Sequence, residues 1–206
     1  MSANTRILYI VLLAFLAVVP FQDFVYIVFV MKLLCFALFA SAFNLLLGYT
    51  GLLSFGHAAF FGGAAYVTAH ASKAWGLSPE LAVLLGMFYA CVTGYLFGSL
   101  AIRRQGIYFA MITLALSQLI FFLALQMKFT GGEDGIQGVP RGHLFGLIDL
   151  SSDTAMYYFV LVLFLVGFLL IQRTIHSPFG QVLKSIRENE PRAISLGYDV
   201  KQIKLL

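Results

Sequence analysis

Charged residues are scarce in this chain of 206 residues, since Asp, Glu, Lys and Arg make up only 11% of it and hydrophobic residues 61%. A soluble globular domain has about 25% charged residues, so the composition excludes an ordinary soluble fold. Strictly alternating apolar and polar segments are also missing, which argues against a transmembrane β-barrel. The two cysteines, Cys35 and Cys91, both lie in apolar stretches. They indicate packing residues rather than a disulfide framework.

Chemical motifs are equally sparse. The chain has no G-x-x-x-x-G-K-[ST] nucleotide-binding motif, and none of its four histidines has a second ligand at metal-site spacing. The carboxylate pairs Glu133-Asp134 and Glu188/Glu190 have no nucleophile beside them. We therefore expect no catalytic residue, no metal, no cofactor and no nucleic acid partner, and we do not expect an enzyme.

Long apolar stretches are what the sequence does have. A helix that crosses a bilayer needs about 20 mostly apolar residues. Six stretches approach or reach that length: 7–21, 31–47, 51–71, 81–102, 106–127 and 155–172. The first could be a signal peptide, but no small-x-small cleavage site follows it, so we interpret it as an uncleaved helix. The prediction is an all-α polytopic membrane helix bundle with about six transmembrane helices.

The basic residues are grouped in a way that predicts orientation. Most lie at Arg103–Arg104 and in the segment 173–204, whereas the connection 128–155 is acidic. The positive-inside rule then places Arg6, the Arg103 loop and segment 173–204 in the cytoplasm. With six spans, all three segments fall on the same side of the membrane. We expect a cytoplasmic N-terminus.

Segment 177–197 has an amphipathic pattern. Apolar residues at i, i+3, i+4 and i+7 form one helical face: Phe179, Val182, Leu183 and Ile186. Ser177 is placed to cap this helix, with Pro178 at its first position. Asn189 is placed to cap a second short helix that Gly197 ends in a left-handed conformation. The pattern predicts two short cytoplasmic helices.

Polar and small residues inside the spans predict a pathway. Hydrogen-bonding side chains at membrane depth are tolerated where they face other helices or a cavity, and transporters line their pathways with them. The candidates for the lining are Asn44, Ser54, His57, Thr113 and Gln118. Tight helix packing remains the alternative for each of them, and for His57 it is favoured.

The glycine-rich segment Lys128–Gly142 has the composition of turns and predicts a structured or mobile outer loop. Part of it is a candidate outer gate or contact for a binding protein: Thr130, Gly131, Gly132, Asp134 and Gly135.

Four blocks of sequence carry a resemblance to a known family. They are NLLLGYTGLLSFGHAAFFGGAAY (44–66), GIYFAMITLALSQ (106–118), TGGEDGIQGVP (130–140) and SPFGQVLKSIRENEPRAISLGYDV (177–200). Together, over roughly residues 30–206, the chain resembles the inner-membrane permease subunits of branched-chain amino acid ABC transporters, of the M type.

The resemblance implies that residues 1–206 form an importer permease domain in the bacterial inner membrane. Its partners would be an H-type permease subunit, two ATP-binding subunits and a periplasmic substrate-binding protein. Relatives continue with further spans, so we expect the chain to lack the family's last helices. Residues 177–197 resemble the coupling loop that docks on the ATPase, although Pro191 stands where alanine is more usual and Glu190 is offset by one. The coupling residues so implied are Ser177, Gly180, Arg187, Glu188, Asn189, Ala193 and Gly197.

Three alternatives stay open. The same family could import urea, short amides or aromatic acids. An ATP-independent secondary transporter or channel would need acidic residues for ion coupling, and none of the nine Asp and Glu lies at the centre of a span. The third alternative is a fragment that only scaffolds other subunits without transporting solute.

Overall fold

A computed structural model describes residues 16, 18–21, 26–104, 106–146 and 148–205. The predicted first span, 7–21, lies mostly outside the described residues. Over the rest, the helices are α1 (Ile27–Asn44), which continues as a π-helix (Leu45–Thr50), α2 (His57–Lys73), α3 (Pro79–Ala101), α4 (Ile107–Gln126), α5 (Asp153–Ile175), α6 (Pro178–Glu188), α7 (Glu190–Ser195) and α8 (Val200–Leu205). Three short 3₁₀ turns (Val19–Phe21, Lys128–Thr130 and Gly132–Asp134) and a small antiparallel hairpin of β1 (His143–Leu144) and β2 (Ile148–Asp149) complete the described elements.

Four helices are long and apolar enough to cross a membrane: α1 with its π-helix, α3, α4 and α5. Helix α2 has 17 residues, about 26 Å at 1.5 Å per residue, and packs along α3. Large apolar side chains on the outer faces of the bundle, such as Phe88, Leu119 and Leu169, are more than half exposed, which suits contact with lipid tails. The described part of the chain confirms an all-α polytopic membrane protein.

The predicted third span was wrong at its beginning. We expected helix from residue 51, but residues 51–56 form a non-helical segment and the helix begins at His57. The physical reason is Gly51, whose φ of 75° is in the left-handed region and ends the π-helix. We call residues 51–56 the break. The other four described stretches are helical within a few residues of their predicted limits.

Two pairs of helices hold the bundle together. Helices α1 and α5 share a cluster that includes Leu34, Tyr157 and Leu161, and the Tyr157 hydroxyl donates to the carbonyl of Leu16 at 2.6 Å. Helices α2 and α3 approach closely because glycines face larger side chains. The ring of Tyr89 lies directly on Gly63, and Thr68 lies directly on Gly86. Small residues at such contacts are the usual way for membrane helices to pack.

The two ends of the bundle differ in charge. One end gathers the π-helix, the break, the start of α4 and helices α6 to α8, and eight of the 13 Lys and Arg residues fall there: Arg103, Arg104, Arg173, Lys184, Arg187, Arg192, Lys201 and Lys204. The opposite end carries the connection between α4 and α5, with Glu133, Asp134 and Asp149. We call these the basic end and the acidic end.

Replacement of Gly86 by valine tests the α2–α3 contact. A Cβ at Gly86 would collide with the Thr68 hydroxyl and stand 3.0 Å from the Ala64 carbonyl, so we expect a loss of about 1–3 kcal/mol in the free energy of unfolding. The measurement is an SDS titration of the purified protein. Gly94→Val is the control, because a Cβ there would meet no described atom within 4 Å outside its chain neighbours and the backbone of its own helix. Equal losses for both variants would contradict the packing described here.

Candidate functional site

The break is held in place by side chains from two elements. Thr113 on α4 accepts a hydrogen bond from the Phe55 N–H at 3.1 Å and donates to the Ala110 carbonyl at 2.9 Å. Ser54 accepts from the Gly56 N–H at 3.2 Å. Both hydroxyls are buried. Non-helical backbone at membrane depth needs such partners, so Ser54 and Thr113, predicted to line a pathway, act here on the main chain of the break.

His57 lies in an aromatic cage, away from the other candidates. Its ring makes edge-to-face contacts with Phe43, Phe39 and Phe60, at centroid distances of 5.3, 6.1 and 6.0 Å. Its Nδ1 is buried and makes no hydrogen bond within the described residues. This environment is that of a packing residue, and a role for His57 in the pathway stays a prediction.

A groove of about 710 Å³ lies between α2 and α4, with Tyr89 of α3 at its back. Most of its surface is apolar. Gln118 and Ser117 line it from α4, and Phe129 and Thr130 lie at its acidic end. Of the five predicted pathway residues, Gln118 is the one that lines this groove; Ser54 and Thr113 lie at the break, and Asn44 lies at the basic end.

Most of the groove residues were not predicted from the sequence, among them Gly62, Tyr66 and Tyr89. The signal for two of them was present, because Gly62 and Tyr66 are four residues apart and therefore share one face of a helix. Tyr89 carried no such signal, since its position depends on how α3 packs against Gly63.

The predicted outer gate is a compact turn at the acidic end. The buried hydroxyl of Thr130 donates to the carbonyls of Met127, at 2.8 Å, and Ala124. Gly131 has a φ of 81°, and a side chain there would meet the carbonyl of Gly135. In the structure the loop is folded into two 3₁₀ turns, Lys128–Thr130 and Gly132–Asp134.

The end of α2 fastens this loop. The His70 ring stacks on Phe129 with centroids 3.9 Å apart, and its Nδ1 lies 3.0 Å from the Phe129 carbonyl oxygen. The Lys73 ammonium donates to the Gln137 carbonyl at 2.5 Å. The loop and the end of α2 therefore form one surface.

Surface charges order the rest of this connection. Arg141 Nη1 lies 2.5 Å from Asp153 Oδ1 at the start of α5. The hydroxyl and the backbone N–H of Ser151 donate to Asp149, and these bonds hold the pKa of that carboxyl below its usual range. The side chains of Arg141, Asp149 and Asp153 are all partly exposed.

Helices α6 and α7 have the predicted caps. Ser177 accepts from the Gly180 N–H at 3.3 Å, Asn189 accepts from the Arg192 N–H at 3.1 Å, and Gly197 has a φ of 88°. Gly180 fits a tight corner after α5, where a side chain would run into the carbonyls of Thr174 and Ile175. The capping predictions are confirmed.

The three short helices share a small apolar core. Ile186 of α6, Ala193 of α7 and Val200 of α8 are all buried together. Lys204 and Glu190 close it with an ion pair of 2.7 Å. We call helices α6 to α8 the basal module.

The basal module is joined to the π-helix by two basic side chains of α6. Arg187 donates to the main-chain carbonyl of Gly48, and the Lys184 ammonium lies 5.3 Å from the centroid of the Tyr49 ring. The Arg187 side chain also lies against Gly51, 3.0 Å from where a Cβ would stand. A polar cavity of about 550 Å³ lies beside this contact. It is lined by Asn44, Gly48, Tyr49, Lys184, Arg187 and Glu188. We call this contact the basal junction.

The described chain is a multi-pass helical bundle with a mostly apolar groove between α2 and α4 and a folded module at its basic end, an architecture that fits a membrane permease. The family described as branched-chain amino acid transport system / permease component matches residues 25–206, and the chain belongs to that family. This confirms the predicted family, the permeases of the LivM type.

Curated relatives support the same family assignment. The high-affinity branched-chain amino acid transport system permease protein LivM of Escherichia coli (strain K12) is 28% identical over 185 residues, covering 79% of this chain and 44% of that protein. The LivM protein of Salmonella typhimurium is 31% identical with the same coverage. A probable branched-chain amino acid transport permease protein LivM of Methanocaldococcus jannaschii is 24% identical over 163 residues, 71% of this chain and 44% of that protein. The chain thus spans less than half the length of these relatives. No solved structure matches it.

Replacement of Thr113 by valine tests the support of the break. The substitution leaves the Phe55 N–H without its acceptor at membrane depth, so we expect a loss of about 1–3 kcal/mol in the free energy of unfolding. The measurement is again an SDS titration. Thr93→Val is the matched control, because the Thr93 hydroxyl donates to the carbonyls of Tyr89 and Ala90, both in its own helix, and to no other group in the described part of the chain. A Thr113→Val variant as stable as the control would refute the role of Thr113.

Proposed function

We propose that this chain is a permease subunit of an ATP-driven importer in the inner membrane, and that it forms part of the pathway for branched-chain or related amino acids. The observation that carries the proposal is the basal junction. In a chain of this permease family, a folded amphipathic module at the basic end is joined to the helix that leads into the break. The names of the relatives supply the substrate class.

The partners follow from the same proposal: an H-type permease, two ATP-binding subunits and a periplasmic substrate-binding protein. Residues 177–197 act as the coupling loop, and the ATPase contact lies on the exposed side of α6 and α7. Arg187, Glu188 and Asn189 are all exposed there, whereas Gly180 and Ala193 are buried and shape the module.

The coupling mechanism uses the geometry of the basal junction. Closure of the ATPases on ATP displaces the basal module, and Arg187 transmits that displacement to the carbonyl of Gly48. The π-helix ends at Gly51, where the left-handed backbone separates α1 from α2. A π-helix and a glycine in sequence form a segment able to absorb a change in helix direction. The membrane helices then move between inward-open and outward-open states.

The outer loop takes part at the other end. Because His70 and Lys73 fasten it to α2, a shift of α2 displaces the loop Thr130–Gly138 as well. We propose that this loop gates the outer opening and receives solute from the binding protein.

A cytoplasmic N-terminus and a cytoplasmic basal module follow from the charge difference between the two ends. Single cysteines at Lys201 and Glu133, in a chain with Cys35 and Cys91 replaced by alanine, test this orientation. We expect a membrane-impermeant maleimide to label Glu133→Cys in intact spheroplasts, and Lys201→Cys only after permeabilisation. The reverse pattern would overturn the orientation and the coupling proposal with it.

Replacement of Arg187 by glutamine tests the coupling. The loss of a charged hydrogen bond across the basal junction should lower substrate-stimulated ATP hydrolysis by about tenfold while basal hydrolysis persists. The measurement uses the assembled complex in proteoliposomes. Lys201→Gln removes an exposed charge of the same module and is the control. Normal stimulation in Arg187→Gln would refute the coupling role.

A further inference from the structure

The groove between α2 and α4 contains polar groups that have no partner in the described part of the chain. The hydroxyls of Tyr66 and Tyr89 and the side-chain amide of Gln118 make no hydrogen bond there. Each of these residues lies near the middle of its helix, α2, α3 and α4 respectively. The Tyr66 hydroxyl extends toward the outer loop, 4.0 Å from where a Cβ of Gly135 would stand, so the groups lie between the middle of these helices and the acidic end.

Unpartnered polar groups at that depth call for an occupant. Lipid tails offer no hydrogen bonds, so an amide or a hydroxyl that faces them costs several kcal/mol. The groove is also mostly apolar, which is unfavourable for water alone. An occupant with one polar end and one apolar end satisfies both parts of the surface.

The lack of charged residues in the lining limits which solutes the groove can bind. Among the described residues that line the groove, none is charged. A solute with a net charge would lie there without a counter-ion, which is costly in a low-dielectric site. A zwitterion with an aliphatic side chain carries no net charge, presents both donors and acceptors, and covers apolar surface.

Size and closure fit a small solute. The volume of about 710 Å³ is in the range of small-molecule sites. Gly62 leaves space in the wall, since a Cβ there would meet no described atom within 4 Å beyond its chain neighbours and the backbone of its own helix. At the acidic end the groove is covered by Phe129 and Thr130, which belong to the loop fastened to α2.

We propose that this groove, which runs from the middle of the helices to the acidic end, is a binding site for a neutral aliphatic amino acid, with Tyr66, Tyr89 and Gln118 as hydrogen-bonding groups and Gly62 as the space for the side chain. The assignment rests on the proposed function, because the class of solute in transit comes from it. Asn44, Ser54, His57 and Thr113 are not part of this site.

Two substitutions probe the space and the polar contacts. Gly62→Leu fills the groove and should lower the uptake of L-leucine by at least about tenfold, whereas Gly94→Leu, equally unobstructed but outside the groove, should leave uptake unchanged. Gln118→Leu removes the amide at nearly constant size and should raise the KM for L-leucine by about tenfold. Normal uptake and KM in both groove variants would overturn the proposal.

A labelling experiment tests the site directly. Ser117→Cys, in the chain with Cys35→Ala and Cys91→Ala, is treated with N-ethylmaleimide in the assembled complex in proteoliposomes. The complex is tested with and without millimolar L-leucine or L-arginine. We expect L-leucine to slow labelling several-fold and L-arginine to have no effect. A labelling rate that L-leucine does not change, or a cysteine that never reacts because protein covers the groove, would overturn the proposal.

Failure of the proposed importer function can be told apart from failure of the proposed binding site. If the wild-type complex takes up no L-leucine, the importer proposal fails on its own measurement. Slower labelling in the presence of L-leucine would then still support the site, and unchanged labelling would reject both.

Discussion

The structure depends on one constraint: backbone amide and carbonyl groups inside a membrane must find partners within the protein. The break is where this constraint is hardest to meet, because residues 51–56 leave the helical pattern. Thr113 supplies an acceptor from a neighbouring helix, and Ser54 supplies one from the break itself. The carbonyl of Gly48, in the π-helix just before the break, is taken by Arg187. The irregular segment therefore ties together α4, the π-helix and the basal module. It is the point through which the two halves of the proposed mechanism are connected.

Glycines determine how closely the helices pack in the rest of the structure. Gly63 and Gly86 let α2 and α3 approach each other, and Gly180 allows the corner at which α5 turns into the basal module. Gly62, one position from Gly63, does the opposite, since it leaves space rather than contact. Adjacent glycines on one helix thus have different consequences: one seats Tyr89 at the back of the groove, and the other widens the groove beside it. The shape of the groove and the packing of the helices come from the same Gly-Gly pair.

The sequence predicted those features that local physics decides. Hydropathy located four of the described helices, and the caps of α6 and α7 followed from Ser177 and Asn189 because capping is a contact between near neighbours. The non-helical break at residues 51–56 was not predicted, since a run of apolar residues gives no sign of where a left-handed glycine interrupts the helix. The candidate pathway residues were chosen for being polar within a span, a property that does not show what they face. Ser54 and Thr113 face the main chain, His57 faces three phenylalanines, and Gln118 faces the groove. The packing of α2 against α1, α3 and α4 separates these cases, and that packing depends on residues distant in sequence.

The hydrogen-bond acceptor in the basal junction is a main-chain oxygen, so the contact does not depend on which side chain stands at position 48. A carbonyl is present whatever the residue at position 48, so mutational drift there does not abolish the contact with Arg187. The constraint on position 48 is one of size, because a Cβ would stand 2.6 Å from the Asn44 amide oxygen. Co-variation between positions 48 and 187 should accordingly carry no signal across distant homologues. Chimaeric chains that exchange the π-helix between such homologues should retain a working junction as long as the helical register is preserved.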